Sequence, residues 1–104
     1  MSNQALTEAV YYILLSLTKP MHGYGIMQNV EQLSNGRVRL AAGTLYGAIN
    51  TLLERGWITA LAGDGGSRKK EYQITELGVE QLNAEILRLA ELLENAHRIL
   101  EGLQ

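Results

Sequence analysis

The chain has no cysteine, which excludes disulfide frameworks, thiolate metal sites and cysteine nucleophiles. It has only two histidines, His22 and His97, and no group of histidines and carboxylates at ligand spacing, so no metal site is expected. No apolar run approaches the roughly 20 residues of a membrane-spanning helix, and Met1-Ser2-Asn3-Gln4 lacks the charged start of a signal peptide. Nothing pairs a nucleophile with a base. His22-Gly23-Tyr24-Gly25 reads instead as a tightly packed helix start with Tyr24 half-buried, and Glu80, Glu85, Glu91, Glu94 and Glu101 read as a solvated face. These absences leave a soluble, cytoplasmic, non-enzymatic domain of 104 residues, without cofactor, metal or membrane contact.

An excess of positive charge is also missing, since the net charge is −2. Its distribution matters more than its sum. Residues 1–74 carry seven Lys and Arg against five Asp and Glu, whereas residues 75–104 carry two Arg against six Glu. The front of the chain is therefore mildly basic and its end acidic. Nucleic-acid binding survives this distribution, with few phosphate contacts per chain.

What is present is mostly helical periodicity. Leu6, Val10, Ile13, Leu14 and Leu17 mark a helix over residues 5–18, ended by Lys19-Pro20. Ile26, Met27, Val30 and Leu33 mark the buried side of a second helix, from His22 or Gly23 to Ser34, and Asn35-Gly36 follows as a turn. Arg37-Val38-Arg39-Leu40 reads as an extended link with both arginines outward. A third helix spans residues 43–56, with Leu45, Ile49, Leu52 and Leu53 inward and Gly56 as its stop. Trp57–Leu61 and Glu71–Ile74 read as antiparallel strands joined through the glycine-rich segment 62–67, with Arg68, Lys69 and Lys70 at the tip. Thr75 is an N-cap for a last helix, roughly 76–102.

The outer face of the third helix is the most informative feature. Where an ordinary surface helix carries Lys and Glu, this one carries Gly43, Gly47, Asn50 and Thr51, with Tyr46 on the flank. Such a face suits close approach to another molecule. A helix of this kind followed by a hairpin with a basic tip reads as the DNA-contacting half of a winged helix, whose third helix enters the major groove. Thr44 and Thr51 can bond phosphates or bases, the Asn50 amide fits adenine, and the Tyr46 hydroxyl can reach a phosphate. Arg68, Lys69 and Lys70 would lie on the sugar-phosphate backbone.

The last helix carries Leu82, Ile86, Leu89, Leu93, Ala96, Leu100 and Leu103 at alternating spacings of four and three, a heptad seam. Leu92 and Ile99 widen the apolar face, so one side is expected to pack on a second copy of the chain and the other on the first helix. The expected fold is mainly α with a small β-hairpin. Residues 1–75 would form a winged helix-turn-helix and residues 76–104 a long C-terminal dimerisation helix. Tyr11, Tyr12 and Trp57 are candidates to line a small-molecule effector pocket, although core packing explains them equally well. The last helix offers no aromatic platform for a flat ligand.

Taken together, Leu6-Thr7-Glu8-Ala9, Met21-His22-Gly23-Tyr24-Gly25-Ile26, Gly43-Thr44-Leu45-Tyr46, Leu52–Gly56 with Ile58, and Arg68–Thr75 leading to Gly78 resemble the PadR family of bacterial transcriptional regulators. The resemblance spans nearly the whole chain, and its short C-terminal part is similar to the compact subgroup. It implies a homodimeric winged-helix repressor on a pseudo-palindromic operator, often released by a small molecule. The family's DNA-facing positions carry over to Thr44, Tyr46, Asn50, Arg68 and Lys69. One departure is notable. Ala41 and Ala42 stand where the family commonly has Ser or Gly followed by Pro, and alanine is a poor N-cap. The competing reading is a dimeric winged helix that binds another protein rather than double-stranded DNA.

Overall fold

Each helix begins at a residue that can satisfy its free N–H groups, with one exception taken up below. A computed structural model describes residues 5–62 and 70–103. Thr7 caps α1 (Glu8–Ser16), its hydroxyl accepting from the Val10 N–H at 3.1 Å. The helix is shorter than the expected 5–18. Leu17 already closes it, its N–H bonding back to Ile13 and Leu14, and Pro20 lies three residues further on. The buried Ser16 is satisfied, donating to the Tyr12 carbonyl at 2.7 Å and accepting from Asn29 Nδ2 at 2.9 Å.

Met21–His22 forms a two-residue strand, β1, which sequence periodicity did not anticipate. His22 is also the N-cap of α2 (Gly23–Leu33), its Nδ1 accepting from Gly25 N–H at 3.4 Å. Asn35 and Gly36 take positive φ, 53° and 80°, and turn the chain out of α2, as Asn-Gly predicts. In the link that follows, Val38 and Leu40 pack on the core while Arg37 pairs with Glu8 and Arg39 with Glu31. Then come α3 (Ala42–Arg55), stopped by Gly56 at φ 75°, and the strands β2 (Ile58–Leu61) and β3 (Glu71–Ile74). The sheet order is β1-β3-β2, all antiparallel, with Met21 opposite Tyr72 and Ile58 opposite Ile74.

The core consists of Ile13, Leu14 and Leu17 of the first helical segment, Ile26 and Val30 of α2, Leu45, Ile49 and Leu52 of α3, with Ile58, Tyr72 and Leu82. Each large aliphatic side chain buried there contributes about 1.5–3 kcal/mol. Leu33, expected inside, and Tyr24, expected half-buried, are both more exposed than that. Tyr24 is 62% exposed and Leu33 44%. Ile26 and Val30, with Met27 partly buried next to them, define the inner stripe of α2, and Tyr24 and Leu33 fall beside it.

The last helix, α4 (Glu76–Glu101), is capped by Thr75, which accepts from Gly78 N–H at 3.1 Å and donates to the Gly56 carbonyl at 2.6 Å. Gly78 has a structural reason. A Cβ there would overlap the Trp57 carbonyl oxygen and sit 2.6 Å from Ile74 Cγ1. The beginning of α4 thus rests on the start of β2 with no room for a side chain. Further along, Glu85 departs from the expected solvated face. It is only 4% exposed, accepts from the Leu6 N–H at 3.2 Å and forms a two-point pair with Arg88 at 2.7 Å. Its carboxylate is covered because it anchors the chain entering α1 to α4. The Arg88 hydrogen bonds hold the Glu85 carboxyl below its usual range against the opposing effect of burial.

Beyond Glu85 the helix leaves the body of the molecule. At about 1.5 Å per residue its 26 residues run roughly 39 Å, which accounts for the long 62 Å dimension of the molecule.

Candidate nucleic-acid interface

Leu45, Ile49 and Leu52 bind α3 to the core and so determine which side of the helix faces out. At 3.6 residues per turn, Gly43, Gly47, Asn50 and Glu54 fall within about 60° of one another on the opposite side. All four are exposed, as are Thr44, Tyr46 and Thr51. A Cβ built on Gly43 or Gly47 would meet nothing within 4 Å. The fold therefore has no use for these two glycines, although glycine inside a helix costs about 0.5–1 kcal/mol relative to alanine.

Tyr46 is held from behind. Its hydroxyl lies over the backbone of Gly23, where a Cβ would overlap it and stand 2.8 Å from Cζ. The ring is nonetheless 45% exposed. Gly23 thus serves as the bed for a candidate contact residue, a role sequence reasoning did not assign beyond tight packing. Burial raises the pKa of the neighbouring Tyr72 phenol, and Tyr46 adds to the effect, so the two hydroxyls lie within electrostatic reach.

The start of α3 is the exception among the helix caps. Ala41 occupies the N-cap position, extended at φ −72° and ψ 153°, and makes no side-chain hydrogen bond. Ala42 is the first helical residue. The N–H groups of the first turn are therefore open to an outside acceptor. At the other end, the Arg55 guanidinium lies 5.1 Å from the centroid of the Trp57 ring. Thr51 bonds its hydroxyl back to the Gly47 carbonyl at 3.2 Å.

Of the expected basic tip, Arg68 and Lys69 lie outside the described residues, and Lys70 is exposed. Arg37 and Arg39 are drawn into pairs with carboxylates, which leaves less free positive charge at the front than the count alone implies.

Leu82, expected on a dimer seam, is 5% exposed and belongs to this chain's own core. Ile86, Leu89, Leu93, Ala96 and Leu100 are all exposed on the projecting part of α4, with Leu92 and Ile99 beside them. Tyr11 and Tyr12 meet edge to face, 5.7 Å between centroids. They and Trp57 pack against the core. A cleft of about 300 Å³ between the N-terminal segment and α3 is lined by Leu6, Val10, Thr51, Leu52 and Arg55 among others, not by this aromatic trio. No group of histidines and acids that would hold a metal ion occurs among the described residues, and no described helix is long and apolar enough to cross a membrane.

Two helices joined by an extended link, with the second presenting an open face and a two-stranded hairpin following it, define a winged helix-turn-helix. Residues 12–84 match the model of the PadR-like transcriptional regulator family, and the chain belongs to that family. It is 33% identical over 92 residues to an uncharacterised protein from Lysinibacillus sphaericus, covering 86% of this chain and 84% of that one. A PadR family regulator from Eggerthella lenta has a similar structure, with a TM-score of 0.71 at 26% identity over 88% of this chain and 80% of the other. The fold is also that of Bacillus subtilis PadR, solved in complex with operator DNA, with a TM-score of 0.67 at 23% identity. That match covers 80% of this chain and 48% of the longer protein.

Proposed function

We propose that the chain is a homodimeric transcriptional repressor that binds a pseudo-palindromic operator through the open face of α3 and the basic wing segment 62–70. The observation that carries this reading is the pair Gly43 and Gly47, set in a helix interior with open space where their side chains would be. Such glycines weaken the helix, and the return is close approach of an external backbone. Thr44, Tyr46 and Asn50 surround them with hydrogen-bonding groups suited to phosphates and base edges. The open N-terminus of α3 adds free N–H donors and a favourable dipole for phosphate. The Bacillus subtilis relative with this fold was solved on operator DNA, which supports the same mode here.

The dimer follows from α4. Its exposed stripe from Ile86 to Leu100 is too long and apolar to stand in water alone, and a second copy supplies the same stripe. Two α3 helices related by a two-fold axis then read two half-sites, and repression follows from occupancy of the promoter.

Fluorescence anisotropy against labelled DNA from upstream of the gene, beside a shuffled duplex, tests this reading at two salt concentrations. Preferential, salt-sensitive binding to the upstream fragment is expected. No binding to either duplex at low salt refutes direct DNA recognition and favours the protein-interaction reading.

A further inference from the structure

The exposed face of α3 lacks the residues that most often read guanine. Arginine and lysine are the side chains that bond guanine O6 and N7 in the major groove. From Ala42 to Glu54 the helix has neither, and its one arginine, Arg55, is at the last position with its guanidinium over Trp57. The residues that remain have different chemistry. Asn50 lies on the centre line of the face, and among the described residues no protein group engages its amide. It is thus free to offer a donor and an acceptor side by side, which matches N7 and N6 of adenine. Thr51 has its hydroxyl turned back to Gly47, so its outward group is the methyl, which suits the C5-methyl of thymine. Glu54, one turn beyond Asn50, only accepts, and its charge opposes the two acceptors on the guanine edge.

We propose that Asn50 and Thr51 are the base-reading pair of this chain and select A·T pairs, adenine through the Asn50 amide and thymine through the Thr51 methyl, while α3 reads no guanine. The proposal rests on the DNA-binding reading and sharpens it to the identity of the bases. Gly43 and Gly47 belong to the same assignment, because they let the helix sink far enough for the short Asn and Thr side chains to reach base edges. Longer arginines would reach without them.

The test is selection of the full-length protein on a pool of randomised duplexes, repeated with Asn50→Ala, Asn50→Gln and Thr51→Arg. The wild type is expected to enrich a two-fold motif containing an A·T pair whose replacement by G·C weakens binding roughly 5- to 150-fold. In Asn50→Ala that preference disappears at one position of each half-site. In Asn50→Gln, which keeps the amide, a preference for adenine remains. Thr51→Arg gains a preference for guanine at the adjoining position. A wild-type motif led by guanine and unchanged in Asn50→Ala overturns the base assignment while leaving DNA binding intact. Failure of the wild type to retain any duplex at low salt removes the DNA-binding reading and this assignment with it.

Discussion

Replacing Gly43 and Gly47 by alanine together should move stability and DNA affinity in opposite directions. Both positions lie in α3, and neither Cβ would touch anything within 4 Å. Gly47 is interior to the helix, so alanine there stabilises by about 1 kcal/mol, and Gly43, in the first turn, adds about 0.5 kcal/mol. At roughly 4–8 °C per kcal/mol for a domain of this size, the double variant melts about 6–12 °C higher. The comparison needs equal protomer concentrations, since a dimer's melting temperature depends on them. The same two methyl groups stand on the centre line of the face assigned to DNA and hold the helix off the groove. Affinity for the operator is expected to fall at least tenfold, about 1.4 kcal/mol. Thermal unfolding and anisotropy on one preparation measure both quantities. A variant that melts higher and binds DNA as tightly as the wild type would refute the close-approach argument, because the glycines would then have no use inside the protein or outside it.

Proline at position 42 should stabilise the start of α3, since Ala41 at ψ 153° already has the extended geometry a residue before proline requires. A gain of about 0.4–1 kcal/mol in Ala42→Pro, with operator affinity up to about fivefold tighter as the first turn stops fraying and the Gly43 and Thr44 N–H groups remain for phosphate, is the expected result; an unchanged melting temperature contradicts fraying. Gly78→Ala drives a methyl into the Trp57 carbonyl and Ile74 and should lose about 3 kcal/mol in urea unfolding, and a loss below about 0.5 kcal/mol would show that α4 can shift off β2. The Glu85 carboxyl has a lowered pKa in the folded protein, so its contribution is complete above the ordinary carboxylate range and is lost as pH falls through the folded value. Glu85→Gln should therefore be less stable than the wild type at neutral pH and converge with it in acid; a gap that does not depend on pH would mean that the carboxylate's charge is not what matters.

How far the sequence alone carries depends on the length of pattern behind each feature. Leu45, Ile49 and Leu52 repeat over two turns, and α3 lies where they place it, stopped at Gly56. Thr75 caps α4 for an equally local reason. β1 could not be read this way, because Met21 and His22 are too few to show an alternation and their partners, Tyr72 and Glu71, lie about 50 residues away. The burial of Glu85 does not show in the sequence for a related reason. A heptad pattern describes one helix, whereas the group that buries this carboxylate is the Leu6 N–H at the far end of the chain. Leu82 continues the apolar spacing of Ile86 and Leu89 without a break, yet it is in this chain's own core and they are exposed. Spacing cannot mark where a helix leaves its own domain. Glycine is ambiguous in sequence in the same way: Gly23 and Gly78 make room for Tyr46 and the Trp57 carbonyl, while Gly43 and Gly47 face open space. Only packing separates the two kinds.

The distribution of charge bears on how such a protein would discriminate among DNA sequences. Arg37 and Arg39 are paired with Glu8 and Glu31, and Arg55 rests on Trp57, so in the proposed complex the phosphate contacts would fall mainly to the wing cations Arg68, Lys69 and Lys70, with the exposed Lys19 as a further candidate. The proposed dimer would then engage about six phosphates through wing charge, for a slope of log affinity against log salt near −5. Non-specific binding, which is almost wholly electrostatic, is correspondingly weak, and base contacts make up a larger share of operator affinity. On this reading the exposed stripe of α4 would be essential, because a single chain with three such charges would hold DNA too weakly for Asn50 and Thr51 to select a site. Titrations on the selected operator over a range of salt concentrations measure the slope directly. Neutralising Lys70 alone should reduce it by about two in the dimer, one phosphate per protomer. A wild-type slope near −10, or no change in Lys70→Ala, would place the phosphate contacts on other residues and undo this account of specificity.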